Sequence, residues 1–414
     1  MQEHLTRVLL YSHNAIGLGH AFRSLAIITG MRRSRPDVDF LVISGTSVPH
    51  IFFREGIEVI KLPALKTDIS VPGQHFSPRY LKSMNTADLV EYRKKIILEG
   101  FNFFKPQAVF IEHTMGGLLG EALPLVMEKD RRRGSPEDFA LVHLSRGIVA
   151  GTPRLTVPSF QDREGKCMDA AGVFDFIYVF EERGTVDVNR EFYGDDPALE
   201  KQINYVGKIC TANPGELMKG EEVRRRFCLD GRPVIVASLG RHGDIGAMAA
   251  HLMEAIESLG LPRSHQVIII LDPYLDGETL GSLRSSHGLK ARLIPFTANL
   301  VDLISLSDLY ICRAGYNTVT EVLMTGARAL IIPEHHPSGE QERRAAALTG
   351  GQLAVIDAKR FLEADASPLI RELLARDKSA SRAAFDRFLI GEQMVKDLEG
   401  WLSRKPHICS SQLR

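Results

Sequence analysis

The chain has 414 residues, 44 % of them hydrophobic and 25 % charged, with 51 Lys and Arg balanced by 51 Asp and Glu. That length suits two or three domains of roughly 150 residues, and the composition is that of a globular protein, which excludes disordered and fibrous classes. A formal net charge of zero excludes an overall field that would draw the chain to nucleic acid or an anionic membrane.

The N-terminal RVLLYS (7–12) is too short for the core of a signal peptide. No stretch reaches the roughly 20 apolar residues of a membrane span. The cysteines (Cys167, Cys210, Cys228, Cys312, Cys409) are scattered and odd in number, without a CxxC pair. That pattern points to free thiols in a reducing compartment, the cytoplasm, and away from a disulfide framework or a zinc site. Arg131-Arg132-Arg133 reads as a solvated loop.

Along the chain, short Val, Ile and Leu runs alternate with segments long enough for helices. In the first half they are RVLLYS (7–12), DFLVIS (39–44), IEVIKL (57–62), QAVFIE (107–112), FALVHL (139–144) and FDFIYVF (174–180). In the second they are PVIVASL (233–239), QVIIIL (266–271), ARLIP (291–295), DLYIC (308–312), ARALIIP (327–333) and QLAVI (352–356). Continuous apolar runs suit strands buried on both faces, as parallel sheets with helical crossovers require; the fold class is α/β. Gly, Pro and Asn cluster in VGKICTANPGELMKGEE (206–222), which sets an N-terminal domain 1–207, a linker 208–220 and a C-terminal domain 221–380. Residues 381–414 read as a long amphipathic helix or helix pair. Segment 63–104 combines an exposed loop with the apolar and basic LVEYRKKIILEGFNFFK, a candidate acceptor lid beside a helix that packs on the sheet or touches a membrane.

Ligands of open parallel sheets bind beyond the carboxyl ends of the strands, so the loops after each run carry the chemistry. The first is NAIGLGHAF. A dinucleotide fingerprint fails here, because Phe22 fills the third glycine position and VISGTS ends the second run without an acid for a ribose. Two readings stay open: Gly17 and Gly19 make a tight turn before a helix, or they form an anion-tolerant floor with His20 as a proton-exchanging group. Glu112 and His113 leave the fourth run at the same edge.

In the second half, Gly240, Gly243 and Gly246 with Arg241 open a helix in a way suited to a diphosphate, or make an ordinary turn. In CRAGYNTVTEVL the strand ends at Cys312, Gly315 turns the chain, and a helix is expected from Asn317 or Thr318. Glu321 in its first turn would accept two ribose hydroxyls, or would close a Thr318–Glu321 capping box. Glu334, His335, His336, Glu340 and Gln341 offer polar groups for sugar hydroxyls. Adjacent histidines in an extended loop do not converge on one ion, so no metal is expected.

Taken together, PFTANLVDLISLSDLYICRAGYNTVTEVLMTGARALIIPEHHPSGEQERRAAAL (295–348) resembles the nucleotide-sugar domain of MurG-like glycosyltransferases, family 28. The order Pro-Phe, short helix, Ser-Asp, Arg-x-Gly, Thr-x-x-Glu, Gly-x-x-x-Leu-x-x-Pro, Glu-Gln is kept. HNAIGLGHAFRSLAI, FFKPQAVFIEHTMGGLLGEALPL and LSRGIVAG are similar to loosely characterised members of the same superfamily. The resemblance implies a GT-B fold: two Rossmann-like domains facing a cleft, donor on the C-terminal one, and a terminal helix that crosses back to the N-terminal one. It implies Glu321 on the ribose, Gln341 with Glu340 on the donor sugar, the backbone at Phe296 on the base, and Gly240 with Arg241 on the diphosphate. Arg313, Gly315 and Thr318 complete the donor motif, and His20 matches the histidine that ends the family's first glycine loop. That loop normally carries more glycines, and SLGRHGD replaces a glycine–serine pattern.

The activity so implied is inverting, metal-independent sugar transfer without an organic cofactor, from a nucleoside diphosphate, UDP by resemblance, to an acceptor hydroxyl or amine. The acceptor is a small molecule, a lipid-linked group or a polysaccharide. His20 would take the proton, with Glu112 and His113 sharing or orienting. IGLGHAFRSL also resembles the loop of UDP-sugar hydrolases, which leaves a nucleotide-sugar hydrolase or epimerase as the alternative. A non-catalytic partner subunit of a transferase complex is the second alternative.

Overall fold

The structure, a computed structural model, describes residues 4–13, 18–68, 75–148, 158–161, 167–240, 245–271, 277–287, 290–294, 296–335, 339–348, 351–376, 383 and 385–405. It divides into two compact units, Met1–Thr211 with Asp386–Arg414, and Ala212–Phe385.

The front unit contains β1 (Arg7–Ser12), β2 (Asp39–Ser44), β3 (Glu58–Lys61), β4 (Leu65–Asp68), β5 (His75–Pro78), β6 (Ala108–Glu112), β7 (Ala140–Ser145), β8 (Ser159–Gln161), β9 (Cys167–Asp169), β10 (Phe176–Val179) and β11 (Ile203–Tyr205). Seven of these form one sheet in the order β11-β10-β7-β6-β1-β2-β3, every neighbouring pair parallel. Its central strands are buried on both faces; Val8, Leu9, Leu10 and Tyr11 are all 0 % exposed. The apolar runs of the first half therefore become strands because each can be covered by helices on either side. The chain leaves β1 toward β2 and leaves β6 toward β7 on the opposite side. That reversal opens a crevice at the carboxyl ends of β1 and β6.

Two antiparallel hairpins, β4–β5 and β8–β9, stand apart from this sheet. Their sequences, LKTD with HFSP and SFQ with CMD, hold no apolar run, so the pattern that marks the central strands is absent from them. Helix Thr86–Phe104 starts where the Asn85 side chain accepts the Asp88 N–H and stops at Lys105, φ 47°. It buries Leu89, Val90, Ile97 and Phe101 and turns Tyr92 and Phe103 outward.

Helix Arg387–Ser403 returns to the front unit and lies along helix Gly19–Ser34. The two touch backbone to backbone, because Gly30 and Gly391 face each other with no room for a Cβ on either. Tyr178 donates to Asp397 at 2.7 Å, Arg35 pairs with Glu399, and the Lys129 ammonium lies 4.8 Å from the Trp401 ring centroid.

The rear unit carries β12 (Val234–Ser238), β13 (Gln266–Ile270), β14 (Arg292–Ile294), β15 (Leu309–Cys312), β16 (Ala329–Ile331) and β17 (Leu353–Val355). They make one parallel sheet in the order β14-β13-β12-β15-β16-β17. Here the reversal falls between β12 and β15, and the loops after Ser238 and Cys312 meet there. Cys167, Cys210, Cys228 and Cys312 are free thiols. Among the described residues no helix is long and apolar enough to cross a membrane.

Candidate active site

At the front crevice β1 delivers His13, 4 % exposed, immediately after its last residue. Gly19 opens helix Gly19–Ser34, whose N-cap Leu18 contributes no side-chain bond to the first turn. The helix presents His20 in that turn and Arg23 three residues later, on the same face. From the neighbouring strand, β6 ends in Glu112, 0 % exposed. His113 follows with φ 78°, a left-handed conformation that costs a non-glycine residue free energy and clusters at functional sites. Its backbone N–H is held by the Leu144 carbonyl at 3.0 Å.

These pieces converge. The Nδ1 of His20 lies 2.7 and 2.9 Å from the two Glu112 oxygens, and Arg23 forms an ion pair with the same carboxylate. The rings of His13, His20 and His113 form a triangle with centroids 4.1, 5.1 and 5.1 Å apart. Burial pushes His13 and His113 well below the ordinary imidazole range, and neighbouring Arg146, Arg23 and the other histidines push the same way. Both are therefore neutral near pH 7. His20 keeps 12 % of its side chain accessible. With Nδ1 turned to Glu112, Nε2 is the ring nitrogen on the far side of the imidazole from that carboxylate. The Nδ1 atoms of His13 and His113 are buried without a hydrogen-bond partner among the described residues.

His13, His20 and Glu112 bring metal-type donor atoms within 4.8 Å of one another. The Glu112 charge, however, is already matched by the Arg23 guanidinium. An entering cation would have to displace that pair, so the arrangement suits a charge-backed imidazole better than a metal clamp.

In the rear unit, Gly240 follows β12 with φ 78°, and a Cβ there would sit 3.1 Å from the Arg313 Cγ. Glycine is needed for both reasons, the sign of φ and the close approach. Arg313 is 7 % exposed and donates to the Ile332 carbonyl at 3.4 Å; burial lowers its pKa. Helix Tyr316–Thr325 begins one or two residues earlier than expected, with Gly315 as its N-cap in an extended conformation (φ −64°, ψ 151°). Two expectations change with it. Glu321 lies in the second turn, not the first, and a Thr318–Glu321 capping box does not form, because the cap position is taken by Gly315. Glu321 is half-buried as a residue, and its carboxyl has no hydrogen-bond or ion-pair partner among the described residues. Its surroundings are apolar enough that burial pushes it up to about 8.

Gln341 lies in the first turn of helix Glu340–Ala346. Its Oε1 accepts from the backbone N–H groups of Ala314 and Glu334, each at 3.1 Å, and its Nε2 donates to Glu334 at 3.1 Å. Glu340 pairs with Arg344 at 2.7 Å, and Arg344 donates to the Ala314 carbonyl at 2.8 Å. Gln341 and Arg344 thus hold the turn after β15, where Arg313 and Gly315 sit. Thr318 is half-buried on the same helix as Glu321, and Phe296 is half-buried just after β14. Gly17 and Arg241 lie outside the described residues. The sequence reading did not assign roles to His13 or Arg23. Arg23 carried a usable signal, its three-residue spacing from His20.

Residues 248–384 match the glycosyltransferase family 28 C-terminal domain. The UDP-N-acetylglucosamine–N-acetylmuramyl-(pentapeptide) pyrophosphoryl-undecaprenol N-acetylglucosamine transferase of Leuconostoc mesenteroides is 21 % identical over 390 residues, 92 % of this chain and 90 % of its own. The chain carries a glycosyltransferase family 28 C-terminal domain and is MurG-like along most of its length. A second family 28 relative, the transferase of the same name from Syntrophus aciditrophicus, is 24 % identical over 192 residues, 44 % of this chain and about half (49 %) of its own length. Acinetobacter baumannii MurG superposes with a TM-score of 0.52 at 14 % identity, covering 95 % of this chain and 99 % of that one. The UDP-GlcNAc 2-epimerase of Neisseria meningitidis, solved bound to UDP-GlcNAc, superposes at 0.60 with 12 % identity and the same coverage. At these identities the superpositions establish the fold alone, GT-B, which this chain shares with both enzymes.

Proposed function

We propose that the protein transfers a sugar from a UDP-sugar to an acceptor hydroxyl or amine with inversion and without a metal, His20 acting as the base. The observation that carries this reading is the His20–Glu112–Arg23 arrangement at the front crevice. Glu112 fixes the imidazole tautomer and stabilises the imidazolium that forms. The His20 Nε2 takes the acceptor proton as the acceptor oxygen or nitrogen bonds to the anomeric carbon and the bond from that carbon to the diphosphate breaks. The departing diphosphate is met by main-chain N–H groups at Gly240 and the positive end of helix Ile245–Ser258, and Arg241, next in sequence, adds a positive charge. Glu321 accepts the ribose hydroxyls, Phe296 lies against the base, and Arg313, Gly315 and Thr318 shape the turn around them. Gln341 and Glu340 set the loop that faces the donor sugar.

The names of the relatives support a UDP-N-acetylglucosamine donor and a lipid-linked acceptor. Exposed Phe103 (91 %) and Tyr80 (70 %) on the front unit suit such an acceptor and a peripheral contact with its membrane. The test is His20→Ala. Turnover should fall at least about 10²-fold while UDP affinity stays at its wild-type value; unchanged turnover removes His20 from the mechanism.

A second reading is favoured by the likeness to UDP-GlcNAc 2-epimerase. On it, the imidazole cluster would act on the donor alone. Release of free sugar or of a 2-epimer without acceptor supports that reading. Donor-dependent turnover by the isolated chain removes the non-catalytic subunit.

A further inference from the structure

A cavity of about 520 Å³ lies in the rear unit at the edge opposite the donor residues, where β12, β13, β15 and β16 begin. Arg328, just before β16, lines it and is 9 % exposed. Its Nη1 donates to the Leu374 carbonyl at 2.9 Å, in the last turn of helix Ser367–Ala375. That contact serves one of five N–H groups. The Nε is buried with no partner, and Arg328 makes no ion pair among the described residues.

A guanidinium nine-tenths buried beside a single carbonyl is incompletely compensated, because desolvating a charge is costly unless a counter-charge replaces the water. The cavity lining adds a second cation, Arg371, and a single carboxylate, Asp308, whose Oδ2 already accepts the Val234 N–H at 2.8 Å. His265 also lines it, with Nδ1 on the Ser264 hydroxyl at 2.8 Å. Burial lowers its pKa, with Asp308 opposing and Arg232 reinforcing the shift. Leu259, Leu261 and Leu374 supply an apolar wall.

We propose that this cavity binds an amphipathic anion, a phosphate or carboxylate head on Arg328 and Arg371 with a short apolar body against the leucines. The volume is in the range of small-molecule sites, and a charge-assisted contact to the head would complete the donor set of Arg328. The proposal is independent of the transferase reading and stands or falls by binding alone.

The experiment is calorimetric titration of the full chain with octyl phosphate and with inorganic phosphate. Octyl phosphate should bind one to one and inorganic phosphate at least about tenfold more weakly, since the apolar body adds buried area. Arg328→Lys and Arg371→Ser should each weaken octyl phosphate by about tenfold or more. Ala375→Trp, which fills the rim one helical turn from Arg371, should abolish binding. UDP affinity should remain unchanged in all three variants, which shows that they fold. Phosphatidic acid vesicles that compete for the site identify a lipid headgroup as the source, whereas vesicles that fail to compete identify a soluble metabolite. No saturable heat with octyl phosphate, or wild-type affinity in Ala375→Trp, overturns the proposal.

Discussion

The Nδ1 of His20 lies 2.7 Å from one oxygen of the buried Glu112 carboxylate, and Arg23 pairs with the other. Glu112→Gln keeps the shape and removes the charge. A forming imidazolium at His20 then loses its counter-ion, and turnover should fall about 10- to 10²-fold. The same change strands the Arg23 guanidinium, so urea unfolding should show a loss of about 3–5 kcal/mol. Wild-type turnover in a folded Glu112→Gln protein would disconnect the carboxylate from catalysis.

Burial pushes the Glu321 carboxyl up to about 8, which leaves it mostly protonated at pH 7. If two ribose hydroxyls are accepted by the carboxylate, UDP binding releases a proton. Affinity should then rise from pH 6 and level off above about pH 8, and titrations in buffers of different ionisation heat should show the released proton. Glu321→Gln should bind about tenfold more weakly with no proton release. A wild-type affinity in that variant contradicts the ribose role.

Stability at the same residue has a definite sign. The native carboxyl holds its proton up to about 8, while an unfolded glutamate loses it near 4.3. Between those values the native state binds more protons, so this residue's contribution to stability falls as pH rises. Without that titration, Glu321→Gln should match wild type at pH 4 and be about 4 kcal/mol more stable than it at pH 8, melting roughly 10 °C higher there. The reverse order at pH 8 would show that the carboxyl is well solvated.

His143 behaves oppositely. It is 0 % exposed, edge-on to Phe174 and Tyr193, and burial pushes its pKa down to about 3. Below about 6.5 the unfolded chain takes up a proton that the native ring refuses. Stability is therefore full above that pH and declines toward 3. His143→Leu should reduce the stability difference between pH 7.5 and pH 5 by about 2 kcal/mol, measured by denaturant unfolding at both values. An unchanged difference would mean that the ring is protonated in place.

Gly391→Ala tests the helix contact in the front unit. A methyl there meets the Gly30 backbone, and over-packing of this kind costs about 1–3 kcal/mol. The melting temperature should fall, while UDP affinity, assigned to the other unit, should hold. A neutral effect would show that the two helices can separate freely.

The strands of both central sheets except the edge strand β11 were legible because burial on two faces leaves continuous Val, Ile and Leu runs, as in PVIVASL and QVIIIL. The hairpins β4–β5 and β8–β9 were not, since polar residues such as Lys66, Asp68, Ser159 and Gln161 carry no such signature. Helix Tyr316–Thr325 was found but started late, because Asn317 and Thr318 are good capping residues and Gly315 competed successfully with them. His20, Glu112 and His113 could be grouped from strand ends alone. The ion pair of Glu112 to Arg23 and the packing of His113 against His13 depend on how β1 and β6 lie side by side, a pairing of residues about a hundred positions apart.

The return of helix Arg387–Ser403 to the first unit makes the second unit an insertion within the first. During translation the inserted body, continuous from Ala212 to Phe385, has all of its own strands before the earlier body has its last helix. The portion synthesised first is thus completed last, and it waits on the ribosome with the groove along helix Gly19–Ser34 uncovered. A message cut short before codon 387 would yield a sound second unit attached to an unfinished first, a product for quality-control proteases and not a shortened enzyme.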